Sequence, residues 1–336
     1  MNLRELGEFG LIDRLRAKLH PADRSVVVGI GDDAAVLAYD PASHVVMTSD
    51  MLVEGVHFRE DTIDFHSLGW KSIAASLSDI AAMGGIPRHA VVSLAVPSAY
   101  EVAKLERLYE GIAEICQQYS THVVGGDIVK TDGPLVISVT LNGEVEQGKA
   151  LLRSGAQPGD LVFVTGTIGG SAAGLALLES GQQSLLPPDE QLALLAFHQR
   201  PIPQIEAGRL LAASGECTSC NDVSDGLASE LNEIAAASGV AIRIQERRLP
   251  IAPAVANFAR RCGRSATDWA LYGGEDYQLV GTFRPLGYAA LAAVFEMSRI
   301  PLAVIGRVTN GSGVILEKSA GGERELAARG YNHFAE

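Results

Sequence analysis

Six short acidic motifs, each beside glycine or a small hydroxyl residue, punctuate this chain. They read GIGDDAAV (Gly29 to Val36), TSD (Thr48 to Asp50), SLSDIAAMGG (Ser76 to Gly85), GGD (Gly125 to Asp127), NDVSDG (Asn221 to Gly226) and GGEDY (Gly273 to Tyr277). Most stand where a β-branched run stops or a helical pattern starts. Glycine permits a sharp turn at such a junction, and alternating strands and helices then fold as α/β or α+β layers. Carboxylates on short turns are also hard oxygen ligands, and several facing one cleft would suit Mg²⁺. A bound cation reverses the local sign of charge, so a polyanionic phosphate can enter an acidic site.

Periodicity places the elements around these motifs. The charged N-terminal stretch MNLRELGEFGLIDRLRAKL predicts an amphipathic helix. Residues 25–28 and 44–48 read as strands, the second ending at Ser49-Asp50. Apolar spacing predicts a helix over 68–83, stopped by Gly84-Gly85. A strand at 90–96, a long amphipathic helix at 99–119, a strand at 121–124 ending in GGD and a strand at 135–145 follow. The texture changes near residue 150, in the turn-rich stretch from Arg153 to Asp160. Beyond it we expect strands at 161–165, 241–244, 278–282 and 303–306, helices near 171–178, 205–213 and 227–238, and a surface loop at 180–190. A chain of 336 residues exceeds what one core usually absorbs, so we divide it into an N-terminal α/β domain, 1–149, and a C-terminal α/β domain, 150–336.

Charge and composition narrow the function classes. A net charge of −13 and the lack of a basic face argue against nucleic acid as partner. No apolar run reaches the ~18 residues that a membrane span needs, and the N-terminus is too charged for a signal peptide. The four cysteines, Cys116, Cys217, Cys220 and Cys262, are then expected to be reduced in a cytoplasmic protein. Cys217 and Cys220 have no second pair to complete a zinc site. The GTIGG stretch at 166–170 has the wrong spacing for a dinucleotide turn and reads as packing. Neither a P-loop nor a protein-kinase motif set is present.

Each motif has a plain structural reading beside the chemical one. Asp32 and Asp33 could brace a surface turn or bind metal. Asp50, with Thr48 and Ser49, could cap a turn or form an oxygen cage. His57 could be structural or hold a substrate phosphate or hydroxyl. Asp79 lies in an otherwise apolar helix; buried, it would need a partner or a metal, unless it faces solvent. Gly126 and Asp127 could bring backbone N–H groups and a carboxylate to a phosphate. Arg153 could be a solvated side chain or a fork for phosphate. NDVSDG puts Asp222, Ser224 and Asp225 directly before a helix, as caps, as metal ligands or as both. Glu275 could sit on an exposed hairpin or hold a substrate.

Taken in order, the motifs resemble the thiamine-monophosphate kinase family. That family lies in the ATP-binding superfamily that also contains aminoimidazole ribonucleotide synthetase, selenophosphate synthetase and the hydrogenase-maturation carbamoyl dehydratase. The likeness runs from Gly7-Glu8-Phe9 through GIGDDAAV, TSDMLVEGVHF, SLSDIAAMG, GGD, LLRSGAQPGDLVFVTGTIGGSAAGL, NDVSDGL and LYGGEDYQL to Gly330-Tyr331-Asn332-His333-Phe334. It implies transfer of the ATP γ-phosphoryl group to thiamine monophosphate, with several Mg²⁺ ions and ATP in a cleft of a homodimer paired through the N-terminal domain. It implies Asp33, Thr48, Ser49, Asp50, Asp79, Asp127, Asp222 and Asp225 as metal ligands. Tyr109, Gly126, Asp127, Arg153 and Ser224 would contact ATP; His57, Glu275 and Tyr331 would contact the thiamine compound. Asn221 departs from the pattern, which favours an apolar residue there. The acceptor is already an ionised phosphate, so direct in-line attack without a general base or phospho-enzyme is expected. Another acceptor, a nucleotide-binding regulator without turnover and a cation-binding structural protein are the alternatives; ADP release with thiamine monophosphate separates them.

Overall fold

The computed structural model describes residues 3–31 and 34–329; Asp32, Asp33 and Tyr331 lie outside the described residues. The chain forms two compact units. One comprises Met1–Ile80 and Ile86–Gln147, the other Ala81–Gly85 and Gly148–Glu336.

The first unit contains α1 (Leu3–Arg16), β1 (Val26–Val28), β2 (Val36–Leu37), β3 (Ser43–Val53), α2 (Phe65–Ala82) up to Ile80, β4 (Ile86–Pro97), α3 (Val102–Gln118), β5 (His122–Thr131) and β6 (Val136–Glu146). A four-stranded sheet has the order β3-β6-β4-β5, with only β4 and β5 parallel. One face carries Val92, Ile137, Val139 and Leu141, all buried with Ile73 and Leu77 of α2 and Leu105 and Ile112 of α3. The opposite face leaves Val45, Met47, Met51, Val91 and Val129 exposed. Helix α2 starts at Phe65, three residues before the spacing suggests, because the Asp64 carboxylate accepts from the backbone of His66 and Ser67. Helices α2 and α3 pack through reciprocal glycines. A Cβ on Gly69 would lie 1.9 Å from Leu108 O, and one on Gly111 would lie 1.8 Å from His66 O.

The second unit contains β7 (Leu161–Thr165), α4 (Gly170–Ser180), α5 (Pro188–Gln199), α6 (Ile205–Ser214), β8 (Cys217–Asp222), α7 (Leu227–Ser238), β9 (Ala241–Gln245), α8 (Pro253–Cys262), α9 (Ala266–Tyr272), β10 (Leu279–Phe283), α10 (Tyr288–Met297), β11 (Leu302–Thr309), β12 (Gly313–Glu317) and β13 (Glu323–Leu326). Its seven-stranded mixed sheet runs β13-β12-β9-β11-β7-β10-β8. Alternation along β7 feeds two cores: Val162 and Val164 pack with Leu227, Leu231 and Ile234 of α7, and Phe163 packs with Leu211 of α6 and Phe295 of α10. The unit is therefore a sheet covered on both faces.

Several expectations are corrected. The stretch at 180–190 is not simply a loop: it holds a 3₁₀ turn at Gln183–Leu185 and the start of α5. Pro188 in the first turn is compatible with a helix, since its missing N–H would be unbonded there anyway. Helices α8, α9 and α10 and strands β8, β12 and β13 are additional to the sequence reading. Strand β8 (CTSCND) is polar and was obscured for that reason; its pairing with β10 decides it.

Candidate active site

Strand β3 does not stop before Asp50. It runs from Ser43 to Val53, because all eleven residues pair with β6. Thr48, Ser49 and Asp50 therefore occupy a strand and not a turn. Alternation sends Thr48 and Asp50 toward α2 and Ser49 to the other face, where its Oγ lies 3.1 Å from Thr140 Oγ1. On the inner side, Thr48 donates a short hydrogen bond to Asp79, and Ser76 Oγ donates to Asp50 Oδ2 at 2.5 Å. Ser76 and Asp79, three residues apart, share one face of α2. Asp79 is thus half-buried against the strand. Burial pushes the Asp50 carboxyl above its ordinary value, and the Ser76 bond opposes that shift only in part.

GGD likewise does not end a strand; β5 continues to Thr131 because its parallel pairing with β4 does. The register aligns Asp50, Val139, Val92 and Gly126 in one row across the sheet. Asp50 and Gly126 are on its two edge strands, three strand spacings or roughly 14 Å apart. Asp127 follows Gly126 and so projects from the opposite face, where it is exposed. Within this unit the acids occupy two places and do not share one turn. Gly126 and Asp127 line a pocket of about 70 Å³ with Ile12, Leu15 and Arg16 from α1 and with Tyr109 from α3. Burial raises the Tyr109 hydroxyl pKa above its ordinary value. His57 closes its own turn: Val53 N donates to its Nδ1 at 3.0 Å, which leaves the proton of the neutral ring on Nε2.

The second unit brings its motifs side by side. Val223 N donates to Gln278 O at 2.7 Å, Tyr277 N to Val223 O at 2.9 Å and Glu275 N to Ser224 O at 2.7 Å. These bonds extend the β8–β10 pairing past the sheet and zip NDVSDG to GGEDY. Gly274 is required here, since a Cβ on it would lie 2.4 Å from Ser224 O. Leu152 O accepts from Cys220 N at 2.8 Å and lays the Arg153 segment along β8. Arg153 Nε donates to Asn221 Oδ1 at 3.1 Å, and its Nη1 lies 3.0 Å from Glu233 Oε2.

Glu230, Glu233, Asp276 and His198 join the site without having been singled out in the sequence. Glu230 Oε1 accepts from Asp225 N at 3.0 Å and braces the turn. Burial pushes it up to about 8, the negative neighbours Asp222, Glu233 and Asp225 add to the rise, and the bond from Asp225 N opposes it. Its signal was a glutamate in the first turn of an apolar helix, placed to reach back to free N–H groups. Asp276 is buried, contrary to an exposed hairpin, and accepts from Gly169 N at 2.6 Å and Ser171 N at 3.1 Å. It thereby occupies the start of α4, confirming GTIGG as a packing turn. Burial pushes Asp276 up to about 7 against these bonds. Glu275 adopts φ +63° and directs its carboxylate to within 3.5 Å of His198 Nδ1, which is also 3.0 Å from Ser171 Oγ.

Among the described residues, no three Asp, Glu, His or Cys side chains form a metal centre. The donor chemistry still suits a hard divalent cation. Thr48, Asp50 and Asp79 supply only oxygen, and the burial of Asp50 is a cost that a cation would relieve.

Two family models match: AIR synthase related protein, N-terminal domain, over residues 31–145, and AIR synthase related protein, C-terminal domain, over residues 157–318. Thiamine-monophosphate kinase of Bacillus subtilis is 42% identical over 98% of this chain and 100% of its own. A crystal structure of thiamine-monophosphate kinase from Stenotrophomonas maltophilia superposes with TM-score 0.83 at 37% identity, covering 93% of this chain and 96% of that one. A structure of AaThiL complexed with AMPPCP and TMP matches with TM-score 0.78 at 36% identity, over 99% of both chains. No helix among the described residues is long and apolar enough to cross a membrane.

Proposed function

The chain belongs to the thiamine-monophosphate kinase family, and we infer that it transfers the γ-phosphoryl group of ATP to thiamine monophosphate, giving thiamine diphosphate. The observation that carries this reading is the zipper between NDVSDG and GGEDY. It sets the main chain of the Asp222–Asp225 segment beside that of Glu275. Backbone bonds that hold in register the segment we assign to phosphate and the residue we assign to the acceptor support this reading.

We assign ATP contacts to Tyr109, Gly126, Asp127, Arg153 and Ser224, and contacts to the thiamine compound to His57, Glu275 and Tyr331. The proposed Mg²⁺ ligands are Asp33, Thr48, Ser49, Asp50, Asp79, Asp127, Asp222 and Asp225. Thr48, Asp50 and Asp79 have the best support of these, since hydrogen bonds already gather them between β3 and α2. Bound Mg²⁺ would supply charge neutralisation for the phosphates. The chain's own residues do the positioning: Arg153 offers planar donors to a phosphate, and Glu230 fixes the Asp225 N–H so that the turn keeps its shape. The acceptor phosphate is itself the nucleophile, so no side chain has to remove a proton. A homodimer paired through the open face of the first unit's sheet and a cytoplasmic location belong to the same proposal; the exposed valines and methionines of that face support the former.

An ADP-release assay with Mg-ATP tests the activity. Thiamine monophosphate should support turnover and free thiamine should not. Asp50→Asn should fold normally and lose roughly 100-fold in kcat. Turnover with thiamine alone would overturn the acceptor assignment, and a fully active Asp50→Asn would overturn the metal assignment.

A further inference from the structure

Asn221 is a buried carboxamide at the end of β8, with both of its polar atoms engaged. Its Oδ1 accepts from Arg153 Nε at 3.1 Å. Its Nδ2 donates to Glu233 Oε2 at 3.0 Å and to Glu230 Oε2. Glu233 Oε2 in turn lies 3.0 Å from Arg153 Nη1. Arg153, Asn221 and Glu233 therefore form a closed triangle, anchored on the buried side by Glu230. Nε is hydrogen-bonded to Asn221 and Nη1 is ion-paired with Glu233, and the two together restrain the plane of the group. Among the described residues Nη2 has no hydrogen-bond partner, and the Arg153 side chain is 56% exposed.

We propose that Asn221 and Glu233 are positioning residues that hold the Arg153 guanidinium in a fixed plane and present its remaining donors to a nucleotide phosphate. The inference rests on the reading of Arg153 as an ATP contact. An unrestrained arginine loses several rotamers when it grips a phosphate, and the triangle removes that loss before binding. An apolar side chain at position 221 could make neither bond. It would also strip Glu230 of a donor. Glu233 adds a second tether from α7, and its own exposure means that its removal leaves no cavity.

Steady-state kinetics of Glu233→Ala, Glu233→Gln, Asn221→Val and Arg153→Ala test the role. Glu233→Ala should raise KM for ATP about five- to tenfold, the cost of ordering one long side chain. KM for thiamine monophosphate, kcat and the melting temperature should stay near wild type. Glu233→Gln keeps the acceptor for Asn221 Nδ2 but loses the charge that pairs with Arg153 Nη1, so its KM for ATP should fall between those of wild type and Glu233→Ala. Asn221→Val should also raise KM for ATP, and adding Glu233→Ala to it should do little more, because both tethers serve one group. An unchanged KM for ATP in Glu233→Ala, with Arg153→Ala strongly impaired, would overturn the positioning role alone. So would an equal rise in KM for both substrates. If Arg153→Ala itself binds ATP as wild type does, the underlying assignment of Arg153 fails and the positioning role falls with it.

Discussion

At the scale of single residues, the second unit stakes most on buried acids. Asp276 illustrates the cost. Its carboxyl accepts backbone N–H bonds at the start of α4, which favour the charged form, yet burial dominates and pushes it up to about 7. The folded state then holds its proton more tightly than the unfolded chain does. The stability this supplies is complete below about pH 3.8 and is lost as pH rises through about 7. A rise from 3.8 to about 7 corresponds to roughly 4 kcal/mol between the ends of that window. Asp276→Asn cannot titrate, so its stability relative to wild type should improve steadily from pH 4.5 to pH 7.5. Denaturant midpoints at several pH values measure this, and a constant difference would contradict it.

At the scale of elements, α2 is the part that the first unit must hold still. It delivers Ser76 and Asp79 to Asp50 and Thr48, and α3 fixes its depth through Gly69 and Gly111. The atoms a Cβ would strike are backbone carbonyl oxygens, which cannot swing away as a side-chain tip can. Gly111→Ala should therefore force α3 off α2 and cost about 1–3 kcal/mol. It should also lower turnover more than a surface change of equal size, because α2 carries the acids. Gly111 has a helical φ, so its substitution reports contact alone, whereas Gly148→Ala, at φ +75° with nothing within 4 Å of a Cβ, reports backbone strain alone. Wild-type stability in Gly111→Ala would remove this account of the helix crossing.

At the scale of the whole molecule, the open face of the β3-β6-β4-β5 sheet is the feature that asks for a partner. Met47 is 74% exposed and Met51 56%, on the same face as Val91 and Val129. A second copy would cover like with like. Sedimentation should find a dimer at micromolar concentration, and Met47→Glu with Met51→Glu should yield a folded monomer, since each new carboxylate would be stranded in an apolar interface. A wild-type monomer would refute the pairing.

The motif order and glycine junctions sufficed to read the alternating architecture and the family. Those features are local: a turn that needs glycine, a carboxylate beside it and a helix start leave their marks within a few neighbouring positions. Extents were not legible. Thr48-Ser49-Asp50 and GGD look like strand ends, yet lie inside strands, because partner strands and not the local residues decide how far a ladder runs. Nor could spacing foresee that Ser49 turns away from Asp50, or that Asn221, Arg153 and Glu233 close into a triangle. Such contacts join residues far apart in the chain, and only the folded backbone sets their distances. The acids and their spacing were thus written in the sequence, whereas their neighbours, their burial and the faces they occupy were decided by tertiary pairing.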